Sequence, residues 1–188
     1  MSLRIIVGPM FAGKTSEIQT VVRRYGCLSK KVLVLTADID RRYQEGAEVV
    51  AVVNHDKTAI PASAVALDGL GAVLEWPAFA EAAAVVIDEA QFFRGCLIPF
   101  VQAAVDEHGK HVVVVGLDSD ADRQPFGDVL ALASLADSIE KKTALCRRCG
   151  DGTLAIFTRA VVSVAKEGQI AVGGADMYEP VCRRHFLS

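Results

Sequence analysis

The sequence predicts an α/β protein: a doubly wound parallel sheet flanked by helices, with a small cysteine-bearing module at the C-terminal end. Three observations lead there. Short β-branched apolar runs alternate with helix-spaced segments through most of the chain. The first run opens into a glycine-bounded loop, Gly8-Pro9-Met10-Phe11-Ala12-Gly13-Lys14-Thr15. Near residue 140 the rhythm gives way to polar, glycine-rich pieces with paired cysteines. Strands alternating with helices imply a parallel sheet, and the change of texture divides the chain into 1–140 and 141–188.

The first strand covers residues 3–7 and runs into the glycine loop, after which Ser16 to Val22 has helical spacing. Residues 30–36 contain Val32-Leu33-Val34-Leu35, an unbroken apolar run of the kind found in strands buried on both faces. The polar segment 37–46 follows at that strand's carboxyl end, the edge where open α/β sheets bind ligands. A short strand is expected over 49–53, turning at 54–57 towards 58–61. Residues 70–82 read as one helix with Pro77 an awkward interruption. The third strong strand, 83–89, ends in two carboxylates, Asp88 and Glu89. A helix over 97–108 carries Pro99 in its first turn, where proline is tolerated, and 111–118 is a fourth buried strand.

Composition narrows the class. With 52% hydrophobic residues among 188, the chain can build a sizeable core, yet no apolar run reaches the ~18 residues of a membrane span. The N-terminus lacks a signal-peptide layout, with Lys14 where an apolar stretch would lie, so a cytoplasmic protein is expected. A net charge of −3 argues against a broad nucleic-acid footprint. Five cysteines without a secretory signal do not suggest a disulfide framework.

Two constellations carry chemistry. The pattern G-x-x-x-x-G-K-T between strand and helix is a phosphate-binding loop. Gly8 and Gly13 allow tight turning and close approach of backbone N–H groups to phosphate oxygens. Lys14 supplies a point charge for the β- and γ-phosphates, and the Thr15 hydroxyl is placed to hold Mg²⁺. Asp88, ending a buried strand downstream, fits the acid that orders Mg²⁺. Glu89 points the other way along the strand and can serve as a general base. Phe92 and Phe126 follow strand ends where a planar ring could stack. The second constellation is Cys146-x-x-Cys149 with Cys182-x-x-His185. Three sulfurs and an imidazole give a closed structural zinc site with no open position for water. Cys27 and Cys96 read as small apolar fillers, and His55, His108 and His111 lack ligand spacing. Pinned at both ends, the segment 149–182 becomes a tethered loop able to close over a small flat substrate.

Several stretches together resemble the zinc-containing type II thymidine kinases, in order along nearly the whole chain. They are the loop at 8–15, Asp88-Glu89-Ala90-Gln91-Phe92-Phe93, Gly116-Leu117-Asp118, Pro125-Phe126-Gly127, the CxxC pair, Val172-Gly173-Gly174-Ala175-Asp176-Met177-Tyr178 and the final CxxH. The resemblance implies a RecA-like P-loop NTPase sheet with a zinc-ribbon and lasso domain over 141–188. It implies transfer of the γ-phosphoryl group of ATP to the 5′-hydroxyl of thymidine or deoxyuridine. Glu89 would be the base, and Lys14, Thr15, Asp88 and Gln91 would serve ATP·Mg²⁺. Asp40 and Arg42 would lie near the reacting hydroxyl and phosphates. Met10, Phe92, Leu117, Phe126, Thr158 and Tyr178 would surround the nucleoside, with Val172, Gly173 and Gly174 in the loop that covers the base. Homotetramers are typical of the family. One departure stands out: the family has phenylalanine three residues past the aspartate of Gly-Leu-Asp, and this chain has Ala121, which would open the pocket. Two readings compete. One is a P-loop ATPase driving a macromolecular partner; the other is a nucleic-acid-binding zinc module using Arg147, Arg148, Arg183 and Arg184.

Overall fold

The computed structural model describes residues 1–38, 50–53, 59–161, 166–167, 170–171 and 177–187. β1 (Ser2–Val7) leads through the glycine loop into α1 (Lys14–Gly26), followed by β2 (Val32–Ala37), β3 (Val50–Val53) and β4 (Ala59–Val65). Next come α2 (Leu70–Val73), α3 (Pro77–Glu81), β5 (Ala84–Ile87), α4 (Leu97–Gln102), β6 (His111–Gly116) and β7 (Ser138–Lys141). The strands form one sheet in the order β3-β4-β2-β5-β6-β1-β7. Neighbours from β4 to β7 are parallel, and β3 closes one edge antiparallel to β4.

Alternation along each strand divides the core into two layers. Leu3, Ile5 and Val7 face one way with Leu35, Val85, Ile87, Val112 and Val114, under α2, α3 and α4, where Phe79 and Phe100 are buried. Ile6, Val34, Val86, Val113 and Val115 face the other way, clustered with Val52 and Ile60 of β3 and β4 and with Ile18 and Val21 of α1. The sheet is therefore wound on both faces, as its apolar runs predict.

Register sets the functional edge. Val7 pairs with Gly116, Val114 with Ile87, and Ile87 with Leu35. The carboxyl ends of β1, β6, β5 and β2 thus share one edge of the sheet, where β1 runs into the glycine loop, β5 and β2 are followed at once by Asp88 and Asp38, and β6 by Leu117-Asp118.

Some elements differ from expectation. The single helix over 70–82 is two short ones, because Pro77 forces an extended Trp76 (φ −74°, ψ 137°) and itself starts α3. The helix expected over 97–108 is α-helical to Gln102 and continues as a π-helical turn, Ala103–Glu107. β7 was not anticipated. The main sheet runs through Lys141, and the chain then enters a set of short antiparallel pairs. β8 (Ala144–Leu145) pairs with β9 (Leu154–Ala155), β10 (Phe157–Ala160) with β13 (Tyr178–Val181), and β11 (Lys166–Glu167) with β12 (Ile170–Ala171). The one-turn α5 (Arg183–Phe186) ends the described chain. No helix among the described residues is long and apolar enough to cross a membrane.

Candidate active site

The glycine loop sits at the C-terminal end of β1, with its conformation fixed at both ends. Gly8 has φ +148°, and a Cβ there would run into the carbonyl oxygen of Lys142. Gly13 caps α1 in the left-handed region (φ 73°, ψ 22°) with no side-chain hydrogen bond to the helix start. Backbone donors at the positive end of a 13-residue helix are thereby presented to the loop. Lys14 is half-buried, and its Nζ donates to the carbonyls of Gly8 (3.0 Å) and Pro9 (2.8 Å). Burial pushes its pKa below the ordinary lysine range; the charges of Glu89, Asp88 and Asp118 oppose that shift. A cation in the field of three carboxylates, beside uncapped helix donors, is suited to holding a polyphosphate with its metal.

Asp88 is buried at the end of β5, its N–H bonded to Leu35 O (2.8 Å) and its Oδ1 accepting from the N–H of Glu89 (2.9 Å). Glu89 is half-buried and takes a left-handed backbone conformation (φ 50°, ψ 38°), unusual for a non-glycine residue. Its Oε2 accepts from Gln91 Nε2 (2.5 Å), and Gln91 Oε1 accepts from the N–H of Leu117 (3.0 Å). Phe92 and Phe126 meet edge-on at 5.5 Å, with Arg94 over the Phe126 ring. Phe126 is buried and Phe92 half-buried, so the pair stands at the border between core and site.

The module packs directly on the loop. Met10 N–H donates to Thr158 Oγ1 on β10 (3.0 Å). Phe11 and Ala12 pack against the cluster formed by Ala144, Cys146, Ala155, Val181 and Cys182. Arg123, from the loop after β6, lies over Phe186 (4.6 Å) and Phe157 (5.6 Å). The acidic stretch around it has a plain role. Asp120 Oδ1 accepts from the N–H groups of Asp122 and Gln124 (2.9 Å each), closing the turn that lifts Arg123 onto the module.

Within the module, the donor atoms of Cys146, Cys149, Cys182 and His185 all lie within 4.8 Å of one another. Tetrahedral zinc with bonds of ~2.3 Å would hold its sulfurs ~3.8 Å apart. Cys149 and Cys182 are separated by 3.8 Å, and His185 Nδ1 stands 3.3–3.6 Å from the three sulfurs. The donor set therefore fits a tetrahedral ion. Burial opposes a Cys146 thiolate, but the Cys182 N–H and further donors outweigh it and bring its pKa down to about 6. Burial and the neighbouring sulfurs push Cys149 up to about 11. Crowded thiols suppress one another's ionisation in this way, and a cation relieves it.

Comparison with known proteins gives the family. The thymidine kinase family model matches residues 1–186. A thymidine kinase of Oryza sativa subsp. japonica is 43% identical over 187 residues, covering 98% of this chain and 66% of its own length. One from Porphyromonas gingivalis is 37% identical over 182 residues, covering 97% of this chain and 83% of its own. Thymidine kinase a of Arabidopsis thaliana is 36% identical over 194 residues, covering the whole chain and 75% of its own length. The chain belongs to the thymidine kinase family.

For a thymidine kinase family member, the site residues expected from sequence group as follows. The structure joins Met10 to Thr158, Glu89 through Gln91 to Leu117, Phe92 to Phe126, and the four metal donors to one another. Gly8, Pro9, Gly13 and Lys14 form the loop, with Thr15 in the first turn of α1. Tyr178 stands opposite Ala160 in the β10–β13 pair. Asp40, Arg42, Val172, Gly173 and Gly174, like His55, lie outside the described residues. Of the module's arginines, Arg148 pairs with Glu179 (2.7 Å) and Arg183 stacks on Phe157, which engages both inside the fold. Sequence reasoning gave Asp118 no role. It is buried, ion-paired to Lys141 (2.6 Å), and its charge acts on Lys14. Its motif was visible, but only the strand order reveals that β6 lies between the loop strand and the acid strand.

Proposed function

We propose that this chain transfers the γ-phosphoryl group of ATP to the 5′-hydroxyl of thymidine, or of deoxyuridine, giving the 5′-monophosphate for nucleotide salvage. The observation that carries the reading is the placement of Glu89: it follows the end of β5 beside Asp88, its charge acts on Lys14, and Gln91 holds its carboxylate. In this scheme residues 8–15 hold the triphosphate, and Lys14 leaves its carbonyl partners for the β- and γ-phosphates. Thr15 and Asp88 would hold Mg²⁺, which neutralises charge on the phosphates when bound. Glu89 accepts the proton of the 5′-hydroxyl, the sugar oxygen bonds to the γ-phosphorus, and the bond to the bridging oxygen breaks to release ADP.

Met10, Leu117, Phe126, Thr158 and Tyr178 enclose the nucleoside, and Val172, Gly173 and Gly174 belong to the covering loop. Asp40 and Arg42 serve the reacting groups. The four donors of the module hold structural Zn²⁺, and 1–140 and 141–188 act as the ATP-binding and nucleoside-covering domains of a cytoplasmic homotetramer. Ala121 leaves the base pocket wider than the family's phenylalanine would.

Incubation with ATP, Mg²⁺ and a panel of pyrimidine deoxynucleosides tests the proposal. A 5′-monophosphate from thymidine or deoxyuridine is expected. ATP hydrolysis that ignores every nucleoside would overturn it in favour of an ATPase acting on another partner.

A further inference from the structure

We propose that Gln91 is a positioning residue for the base: it clamps one oxygen of the Glu89 carboxylate, refers that carboxylate to the backbone of Leu117, and leaves Oε1 as the oxygen that meets the sugar hydroxyl. The inference rests on the reading of Glu89 as the base and deepens it.

The Gln91 side chain is fully buried, and both ends of its amide are engaged. Leu117 presents a backbone N–H, a donor only, so the amide oxygen must face it and the NH₂ group must face Glu89. The orientation is therefore set by a partner that cannot change its role. An NH₂ donor against a carboxylate is a charge-assisted bond, stronger than a neutral one.

Glu89 needs such a hold. Its left-handed backbone (φ 50°) is strained for a non-glycine residue and persists only where its surroundings fix it. Left to itself, the side chain would have several rotamers available. Chemistry requires one, because a base must lie within hydrogen-bond reach of the proton it takes.

The walls around Gln91 are shaped for it. A Cβ on Gly116 would come within 2.7 Å of Gln91 Oε1, and one on Gly127 (φ +60°) would collide with the Gln91 carbonyl oxygen. The end of β5, the end of β6 and the loop beyond Phe126 therefore all close on this one residue. Since Leu117 is also a residue expected to line the nucleoside, Gln91 ties the base to the wall of the pocket that receives the hydroxyl.

A double-mutant cycle between Gln91→Met and Glu89→Gln tests this. Methionine keeps the length and loses both hydrogen bonds. Single-turnover phosphorylation by the Gln91→Met enzyme should slow roughly 10- to 100-fold, as for a misplaced reacting group, while ATP affinity and the nucleoside KM stay within about threefold. In the Glu89→Gln background the same substitution should cost almost nothing further, because its effect passes through the carboxylate. An equal cost in both backgrounds, or a full rate in Gln91→Met, overturns the positioning role and leaves the base assignment standing. A full rate in Glu89→Gln itself overturns the base assignment and this inference with it. If Gln91→Met melts early or fails to fold, Gln91→Asn serves the same cycle, being an amide too short to reach both partners.

Discussion

The sheet body and the metal module are held by different forces, and the site lies where they meet. The body buries two layers of side chains, with Phe79, Phe93, Phe100, Ile5, Ile6, Leu35 and Ile87 all essentially inaccessible. Burial at ~25 cal/mol per Å² makes such a body self-supporting. The module's own core is Ala144, Cys146, Ala155, Val181 and Cys182, two of them metal donors. Among the described residues this cluster is small beside the two layers of the body, so an ion held by the four donors would add to the module's stability more than to the body's. The glycine loop leans on both: its strand is paired on both sides, between β6 and β7, while Met10, Phe11 and Ala12 rest on the module. A binding loop that must be rigid in one direction and covered from another gains from having two supports of unlike origin.

The comparison is broken most severely by removing the metal. One zinc per chain is expected by elemental analysis. Stripping it with a chelator should cost the module on the order of 10 kcal/mol, exposing residues 142–187 to protease while the body keeps its thermal transition. A module that stays protected without metal would mean that packing, not coordination, holds it. The converse substitution is Phe100→Ala, in the layer between the sheet and α2–α4, which should destabilise the body by ~3–5 kcal/mol and leave metal binding unchanged. A loss below ~1 kcal/mol, read by denaturant titration, would contradict the packing described.

The seam itself gives the smallest effect. Lys142 pairs with Glu17 (2.8 Å) and Glu140 (3.0 Å), and Arg4 with Glu140 (2.6 Å). The hydrogen bond to Glu17, chiefly, raises the pKa of Lys142; those from Lys142 and then Arg4 lower that of Glu140. A raised lysine contributes stability that is fully present below its unfolded pKa near ~10.4 and lost as pH rises through the folded value. A depressed glutamate contributes stability present above ~4.3 and lost as pH falls through its folded value. The network should thus hold across the neutral range. Glu140 is 41% exposed, so screening limits Glu140→Gln to under ~1 kcal/mol at pH 7. That difference should shrink as the solution is acidified; growth on acidification would contradict the assignment.

What the sequence made legible follows the range of the forces involved. The buried strands were readable because burial on both faces leaves unbroken apolar runs, and the metal donors because a CxxC turn aims both sulfurs locally. β7 was missed because an edge strand needs fewer apolar residues: Ser138, Glu140 and Lys141 are polar and Ile139 is half exposed. The helix over 70–82 was overextended because its spacing spoke louder than Pro77. The hydrogen bonds of Gln91 to Glu89 and to Leu117, 26 positions away, join residues that no local pattern brings together. The acids around Arg123 had no reading from sequence, since Asp120 acts on backbone donors inside its own turn.

One comparison of rates bears most directly on the account. The Glu89→Gln enzyme should bind ATP as the unaltered protein does, yet phosphorylate thymidine some 10²–10⁴-fold more slowly in a single turnover. A rate left unchanged, or a slowing fully explained by lost nucleotide binding, would mean that the carboxylate at the end of β5 does not take the proton.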